Sequence, residues 1–399
     1  MLDADHLRAL MSPAGEALVA AASMAEGDVV RRLSALRRVA PPGLAAAALE
    51  LADLRLRATR RFPAAGRMYL TRAGLEQASS AAVAAWRAAR FPAGVATLDL
   101  CCGIGGDTMA LAGRGPVIGF DLDMAHVLCA KANASAAGHS RVEVARADVT
   151  GLRLRGEAAF LDPSRRPDGR RERRADRYAP PLEWVRDVAP RVGSLAVKVS
   201  PALDDAVLAG FGARLEFVSE AGECKEAVLW IGDAGPAHAR CASVLPAGVT
   251  LAADPDARPP SIGAPKAWLY DPDPAVVRAH AIADLAARID ASLLDSRIAY
   301  LTGDNECGTP FAEAFRVLEW LPFGLRALRS RLAALDLRAV SVKRRGVPME
   351  PADVLRALPR EGDRPAVIVL TRVAGRPAAL ICDGPVALAP AAADMGFLP

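Results

Sequence analysis

The sequence predicts an α/β fold: a mostly parallel sheet covered by helices on both faces, preceded by a helical segment and followed by a small α+β part. Three observations carry this. Between residues 95 and 232, short apolar runs alternate with helical stretches, the pattern of repeated βα units. The first run enters a turn holding Gly103, Gly105 and Gly106 before a helix begins. The runs also carry acids at their ends: Asp99, Asp121, Asp148 and Asp162.

Bulk properties set the frame. At 399 residues the chain exceeds one ordinary core, so two or three domains are expected. An apolar fraction of 52% argues for folded domains, although much of it is alanine. The net charge is +4, and only Lys131, Lys198, Lys225, Lys266 and Lys343 are lysines. Arginine is the better bidentate partner for phosphate, so a nucleic-acid partner is allowed but not demanded. The seven cysteines form no CxxC pair and the five histidines are scattered, which speaks against a metal site or a disulfide framework. Asp3 and Asp5 stand where a signal peptide would be basic, and no run of about 18 apolar residues lacks charge. A cytoplasmic protein without a membrane span is expected.

In chain order, residues 1–90 read as helices. Leu7, Leu10, Leu18 and Val19, then Val30, Leu33 and Leu36, then Leu49, Leu51 and Leu54 supply apolar positions at helical spacing. Thr71 is an N-cap candidate for a helix that leads towards the central strand. Strands are expected at 95–100, 116–121, 141–148, 158–162 and 194–200, and the runs 214–218 and 227–231 suit a final hairpin. Helices are expected from residue 109 and over 125–136. The proline-rich stretch 236–310 reads as a linker or short strands with turns, with a helix over 275–291. The tail reads as helix 324–335, strand 338–343, helix 351–358 and strands 366–371 and 378–382.

Strand, glycine turn, helix start is a layout in which a ligand meets bare backbone at the carboxyl edge of a parallel sheet. A dinucleotide is one candidate, but its third glycine would fall at residue 108, which is Thr108. S-adenosylmethionine (SAM) is the alternative. It lacks a pyrophosphate and has an ammonium that Asp99 can face. Asp121 lies 22 positions after Asp99, the spacing of a ribose-binding acid, which points to adenosine more than to either cofactor. Asp148 can accept from an adenine amino group. The acids can also serve as helix N-caps, a role that leaves the glycines unexplained.

The segments LDLCCGIGGDT (98–108), VIGFDLD (117–123) and DPSRR (162–166) resemble motifs of class I SAM-dependent methyltransferases. With LEQAS (75–79), KVSP (198–201) and VKRRG (342–346), the chain resembles the bacterial family with a THUMP-like C-terminal domain, related to the RNA-cap guanine-N2 methyltransferase group. The resemblance implies a Rossmann-like seven-stranded sheet with one antiparallel strand. It also implies four parts: a helical domain (1–66), the methyltransferase domain (67–235), a linker and ferredoxin-like region (236–322) and a THUMP-like domain (323–399).

The same resemblance implies SAM as cofactor, held by Asp99, Cys101, Gly103, Gly105, Asp107, Asp121 and Asp148. Amino-methylating relatives end the fourth strand in Asp/Asn-Pro-Pro-aromatic. This chain keeps Asp162 and Pro163 but has Ser164 and Arg165 where the second proline and the stacking ring would stand. Asp162 is expected to orient a target amine, and Arg165 and Arg166 to hold a substrate phosphate or carboxylate. Tyr178 is a replacement stacking ring at the end of the arginine-rich run, and Lys198 a further substrate contact. That run reads either as a basic lip or as a solvated loop. Lys343, Arg344 and Arg345 are the expected RNA contacts of the tail. These features imply a methyltransferase for structured RNA, tRNA or rRNA. A protein or small-molecule methyltransferase, or a non-catalytic SAM- and RNA-binding protein, is the competing expectation.

Overall fold

A computed structural model describes residues 2–164 and 178–386. The chain divides into two compact units, Met1–Arg214 with Ala227–Ala237, and Leu215–Glu226 with His238–Pro399.

The first unit opens with helices α1 (Ala4–Leu10), α2 (Pro13–Met24), α3 (Val29–Leu36), α4 (Pro42–Ala58), α5 (Arg72–Gln77) and α6 (Ala81–Ala89). Side chains start most of them: Asp3, Ser12, Asp28, Thr71 and Ser80 each accept a hydrogen bond from a first-turn N–H, which satisfies donors that a helix start leaves unpaired. Leu7, Leu10, Val19, Leu51 and Leu54 are buried in one core cluster, as their spacing predicts. Val30 departs from that reading: it is 73% exposed, so α3 buries only its Leu36 end.

The α/β part follows: β1 (Thr97–Asp99), α7 (Gly106–Ala112), β2 (Val117–Asp121), α8 (Met124–Ala136), β3 (Val142–Arg146), β4 (Gly156–Leu161), α9 (Val185–Val188), β5 (Val192–Val199) and α10 (Asp205–Ala209). Then come β6 (Arg214–Glu220) and β7 (Glu223–Gly232), consecutive strands joined by the turn at residues 221–222. The order in this unit is β3-β2-β1-β4-β5-β7, with all pairs parallel except β5 with β7. This is the Rossmann-like arrangement with an antiparallel strand late in the sheet, and β6, which precedes β7 in the chain, is counted with the second unit from Leu215 on. The parallel register sets Asp99 opposite Gly119 on β2 and Phe160 on β4, so the ends of β1, β2 and β4 share one edge. The strand order reverses between β1 and β4, where doubly wound sheets open a crevice for ligands. Phe91, Leu111, Phe160 and Trp230 fill one core cluster against this sheet.

In the second unit β6 pairs in parallel with β8 (Arg240–Leu245), and β8 antiparallel with β9 (Val249–Ala252). There follow β10 (Trp268–Pro272), α11 (Pro274–Arg278), α12 (Ile282–Arg288), β11 (Ser292–Asp295), β12 (Ile298–Gly303), β13 (Ala312–Pro322), α13 (Leu325–Ala334), β14 (Leu337–Arg344), α14 (Pro351–Ala357), β15 (Arg364–Val373) and β16 (Arg376–Val386). They form a sheet of order β11-β12-β10-β13-β16-β15-β14, in which only β14 and β15 run parallel, joined through α14. Two differences from the sequence reading stand out. The helix expected over 275–291 is broken, because His280 takes a φ of +60° between α11 and α12. The long strand β13 has no counterpart in that reading, since register shifts at residues 314–316 and 317–319 disturb its alternation.

Candidate active site

The site grows from the end of β1. Asp99 is fully buried, and Thr108 Oγ1 donates to its Oδ2 at 2.6 Å. Thr108 is the residue that breaks the dinucleotide spacing, and here it partners the buried acid. Asp99 Oδ1 has no hydrogen-bond partner among the described residues. Burial, with the charges of Asp107 and Asp162 adding to it, pushes the Asp99 carboxyl up to about 7.

The turn after β1 is shaped by two glycines with positive φ, +52° at Gly103 and +85° at Gly105. A Cβ on Gly105 would stand 2.8 Å from Cα of Ala130, so α8 packs directly on the turn, whereas a Cβ on Gly103 would meet nothing within 4 Å. Gly103 thus leaves open space at the turn. Its N–H donates to Asp121 Oδ2 at 2.9 Å, which ties the turn to the end of β2.

Asp121 Oδ1 accepts from Asp123 N at 2.9 Å and is 3.3 Å from His126 Nδ1. His126 Nε2 in turn lies 3.2 Å from Oγ1 of Thr71, the α5 N-cap. Burial opposes ionisation of Asp121, but His126 and the Asp123 and Gly103 N–H groups outweigh it and hold the carboxyl below the ordinary range. Burial likewise opposes protonation of His126, and the bond to Asp121 outweighs it, leaving the imidazole above its ordinary value. Three of roughly four acceptor positions on the Asp121 carboxylate are therefore engaged within the protein, fewer being free than two ribose hydroxyls would use.

Asp148 is exposed and caps a short turn, with Oδ1 accepting from Thr150 N at 3.0 Å and Thr150 Oγ1 at 2.7 Å. The capping alternative thus describes Asp148 and not Asp99 or Asp121. Burial pushes the Cys101 thiol well above its ordinary value, and Asp121, Asp162, Asp99 and Asp148 all add to that effect. The charges of all four strand-end acids therefore act on this one half-buried residue.

Asp162 follows β4 and receives Lys198 Nζ on Oδ2 at 2.7 Å. Lys198, on β5, is buried and also donates to Ser79 Oγ at 3.1 Å. Arg87 Nη2 donates to the same Ser79 oxygen at 2.9 Å, its Nη1 reaches Asp107 Oδ1 at 3.0 Å, and its guanidinium lies 4.6 Å from the centre of the Phe160 ring. Asp107, expected to contact a cofactor, is engaged by Arg87.

Several substrate expectations are corrected by burial and pairing. Tyr178 is 2% exposed and its hydroxyl accepts from Ser200 N at 3.0 Å, so its ring is packed inside and is not presented for stacking. Lys198 is committed to Asp162 and Ser79 and is not a free cation. In the second unit, Lys343 bonds Asp271 at 2.8 Å and Glu313, Arg345 pairs with Asp271 at 2.7 Å and lies over the Tyr300 ring, and Arg344 pairs with Glu350 at 2.8 Å. Their charges are compensated within the unit. Arg165 and Arg166, like the rest of residues 165–177, lie outside the described residues. Pro163 is buried beside Asp162.

Sequence reasoning missed Ser79, Arg87, Thr108 and His126. The one signal for the first was its place in the LEQAS match. Among the described residues, no group of three or more His, Cys, Asp or Glu side chains is arranged to hold a metal ion, and no helix is long and apolar enough to cross a membrane.

Comparison with known proteins agrees with this layout. Residues 95–161 match the RNA cap guanine-N2 methyltransferase family, residues 312–384 a THUMP domain-like family, and residues 3–58 a domain of unknown function. Uncharacterised SAM-dependent methyltransferases of Mycobacterium tuberculosis, from strains CDC 1551 and H37Rv, are each 37% identical over 305 residues, 75% of this chain and 83% of theirs. A crystal structure of a protein assigned as a methyltransferase from Porphyromonas gingivalis W83 has the same fold, with a TM-score of 0.73 at 18% identity, covering 96% of this chain and 98% of that one. By its 37% identity to the mycobacterial proteins over most of both lengths, the chain belongs to the S-adenosylmethionine-dependent methyltransferases.

Proposed function

We propose that this methyltransferase methylates a base nitrogen of structured RNA, tRNA or rRNA. The observation that carries the reading is Asp162: it stands at the end of β4, with Oδ2 fixed by Lys198 and Oδ1 taking no bond from any described residue. A carboxylate oxygen so placed accepts an N–H of a target amine and orients its lone pair. The RNA-modifying family that matches residues 95–161 and the THUMP-like match over residues 312–384 support the choice of RNA.

The residues of the turn fit SAM. The unpartnered, buried Oδ1 of Asp99 suits the cofactor's ammonium, and the open space at Gly103 admits its methionyl part against backbone. Asp121 offers its remaining acceptor position to a ribose hydroxyl, and Asp148, with Oδ2 free among the described residues, accepts from the adenine amino group. Cys101 and Gly105 shape the turn, and Asp107 braces it through Arg87. The cofactor supplies an electrophilic methyl group. The protein's part is to align the target nitrogen in line with it and to exclude water. Asp162 holds the amine and is the first acceptor for the proton released on attack. In the division proposed here, residues 1–66 pack beside the methyltransferase domain (67–235), and the ferredoxin-like (236–322) and THUMP-like (323–399) parts grip the RNA.

Purified protein with labelled SAM should transfer methyl groups to total tRNA or rRNA from a strain lacking it, and nucleoside mass spectrometry should identify the methylated base. Absence of transfer to both, with SAM binding intact, would remove RNA as substrate. A second reading, methylation of a protein or small molecule, is favoured by the burial of Tyr178, which removes the expected stacking ring. Methyl transfer to RNA-free extract would support it.

A further inference from the structure

Of the chain's five lysines, Lys198 alone is buried, at 4% exposure, in a protein whose other cations are nearly all arginine. A buried ammonium is costly unless its donors are met. Two of its three N–H groups are: one by Asp162 Oδ2 at 2.7 Å and one by Ser79 Oγ at 3.1 Å. The Ser79 hydroxyl has two acceptor positions, and both are taken, by Lys198 and by Arg87. Arg87 is itself anchored to Asp107, on the first turn of α7 after the glycine turn. The result is a run of acid, cation, hydroxyl, cation, acid that joins the glycine-turn helix to the acid at the end of β4. Ser79 lies 119 residues from Lys198, on the segment between α5 and α6.

We infer that Lys198 is a positioning residue for Asp162 and that Ser79 is its anchor. The ammonium fixes Oδ2 and thereby presents Oδ1 in one orientation to the target N–H. This rests on the proposed role of Asp162 as amine acceptor. It also replaces the direct substrate contact that the sequence suggested for Lys198. A single compact ammonium suits the task, since it meets one carboxylate oxygen and one hydroxyl, whereas a guanidinium fork would engage both carboxylate oxygens and block the acceptor.

The test uses the full chain, labelled SAM and total RNA from a strain lacking the protein. Lys198→Met and Ser79→Ala should each lower kcat by roughly 10- to 100-fold, as a misplaced orienting group does. KM for RNA and the Kd for SAM by calorimetry should stay within about twofold of wild type. The double variant Lys198→Met/Asp162→Asn should be no slower than Asp162→Asn alone, because Lys198 acts through Asp162. Unchanged kcat, a raised KM at unchanged kcat, or multiplying effects in the double variant would overturn the inference. A second measurement needs no substrate. In protein labelled with 15N-lysine, the Lys198 ammonium should give a slowly exchanging signal that is shifted or lost in Ser79→Ala and in Asp162→Asn. Identical spectra in all three proteins would overturn the contact on which the inference stands. If wild type transfers no methyl to RNA, the RNA reading falls, and the ammonium spectrum still decides the inference.

Discussion

Thr108 Oγ1 and Asp99 Oδ2 stand 2.6 Å apart in the interior, and that bond is the single side-chain hydrogen bond to Asp99 among the described residues. It explains why a hydroxyl, and not a glycine, follows the turn. Thr108→Val keeps the shape and removes the donor, leaving a buried carboxyl with neither oxygen met by a side chain. The expected cost is about 1–3 kcal/mol of stability, read by denaturant unfolding, together with weaker SAM binding by calorimetry.

Asp99 also sets a pH dependence. Its carboxyl has an ordinary value of 3.8 and sits at about 7 in the folded protein. A raised carboxyl binds its proton more tightly when folded, so this contribution to stability is full below about pH 4 and is lost as pH rises through 7. Cofactor affinity should run the other way. An ammonium favours the ionised acid, so SAM should bind more tightly as pH rises from 6 to 7, where the α-amino group is still protonated. Near pH 6 binding should release close to one proton, and the release should shrink as pH rises through 7. Calorimetry in buffers of different ionisation enthalpy measures this directly, and proton uptake on binding near pH 6 would contradict the placement of Asp99 at the ammonium.

Asp121→Ala removes an acceptor that the turn itself uses through Gly103 N–H. The Kd for SAM should rise by roughly 10- to 100-fold, the equivalent of one hydrogen bond to a charged group. Unaltered affinity would sink the ribose assignment. His126→Ala should show a smaller loss in the same assay, because it acts on the cofactor only through Asp121.

Lys343 lies between Asp271 and Glu313 in the second unit, and burial there is outweighed by the two carboxylates, which hold its ammonium above the ordinary range. Lys343→Ala should therefore act on stability, lowering it by about 1–3 kcal/mol in thermal or denaturant unfolding. The salt dependence of RNA binding should keep its slope. A slope reduced by about one, without loss of stability, would return Lys343 to the RNA surface.

How much was legible follows from the range of each signal. The βα alternation, the N-cap at Thr71 and the acids at strand ends are local patterns, legible in a short stretch of sequence. Elements failed where a local signal was interrupted: His280 breaks a helix with one positive φ, and two register shifts blur β13. The exposure of Val30 shows that spacing alone does not say which face finds a partner.

The sequence by itself determined the Rossmann-like core and the glycine turn, because each depends on residues close together or on strand ends that a parallel sheet must align, while the cofactor followed from the resemblance to a methyltransferase family and not from spacing. Only the tertiary structure decided what the charged side chains do. Asp162 is 36 residues from Lys198, Lys198 is 119 from Ser79, and Lys343 is 72 from Asp271. No spacing rule spans such distances. Each pairing exists because folding buries a charge, and a buried charge is stable only beside a partner that the chain brings from elsewhere.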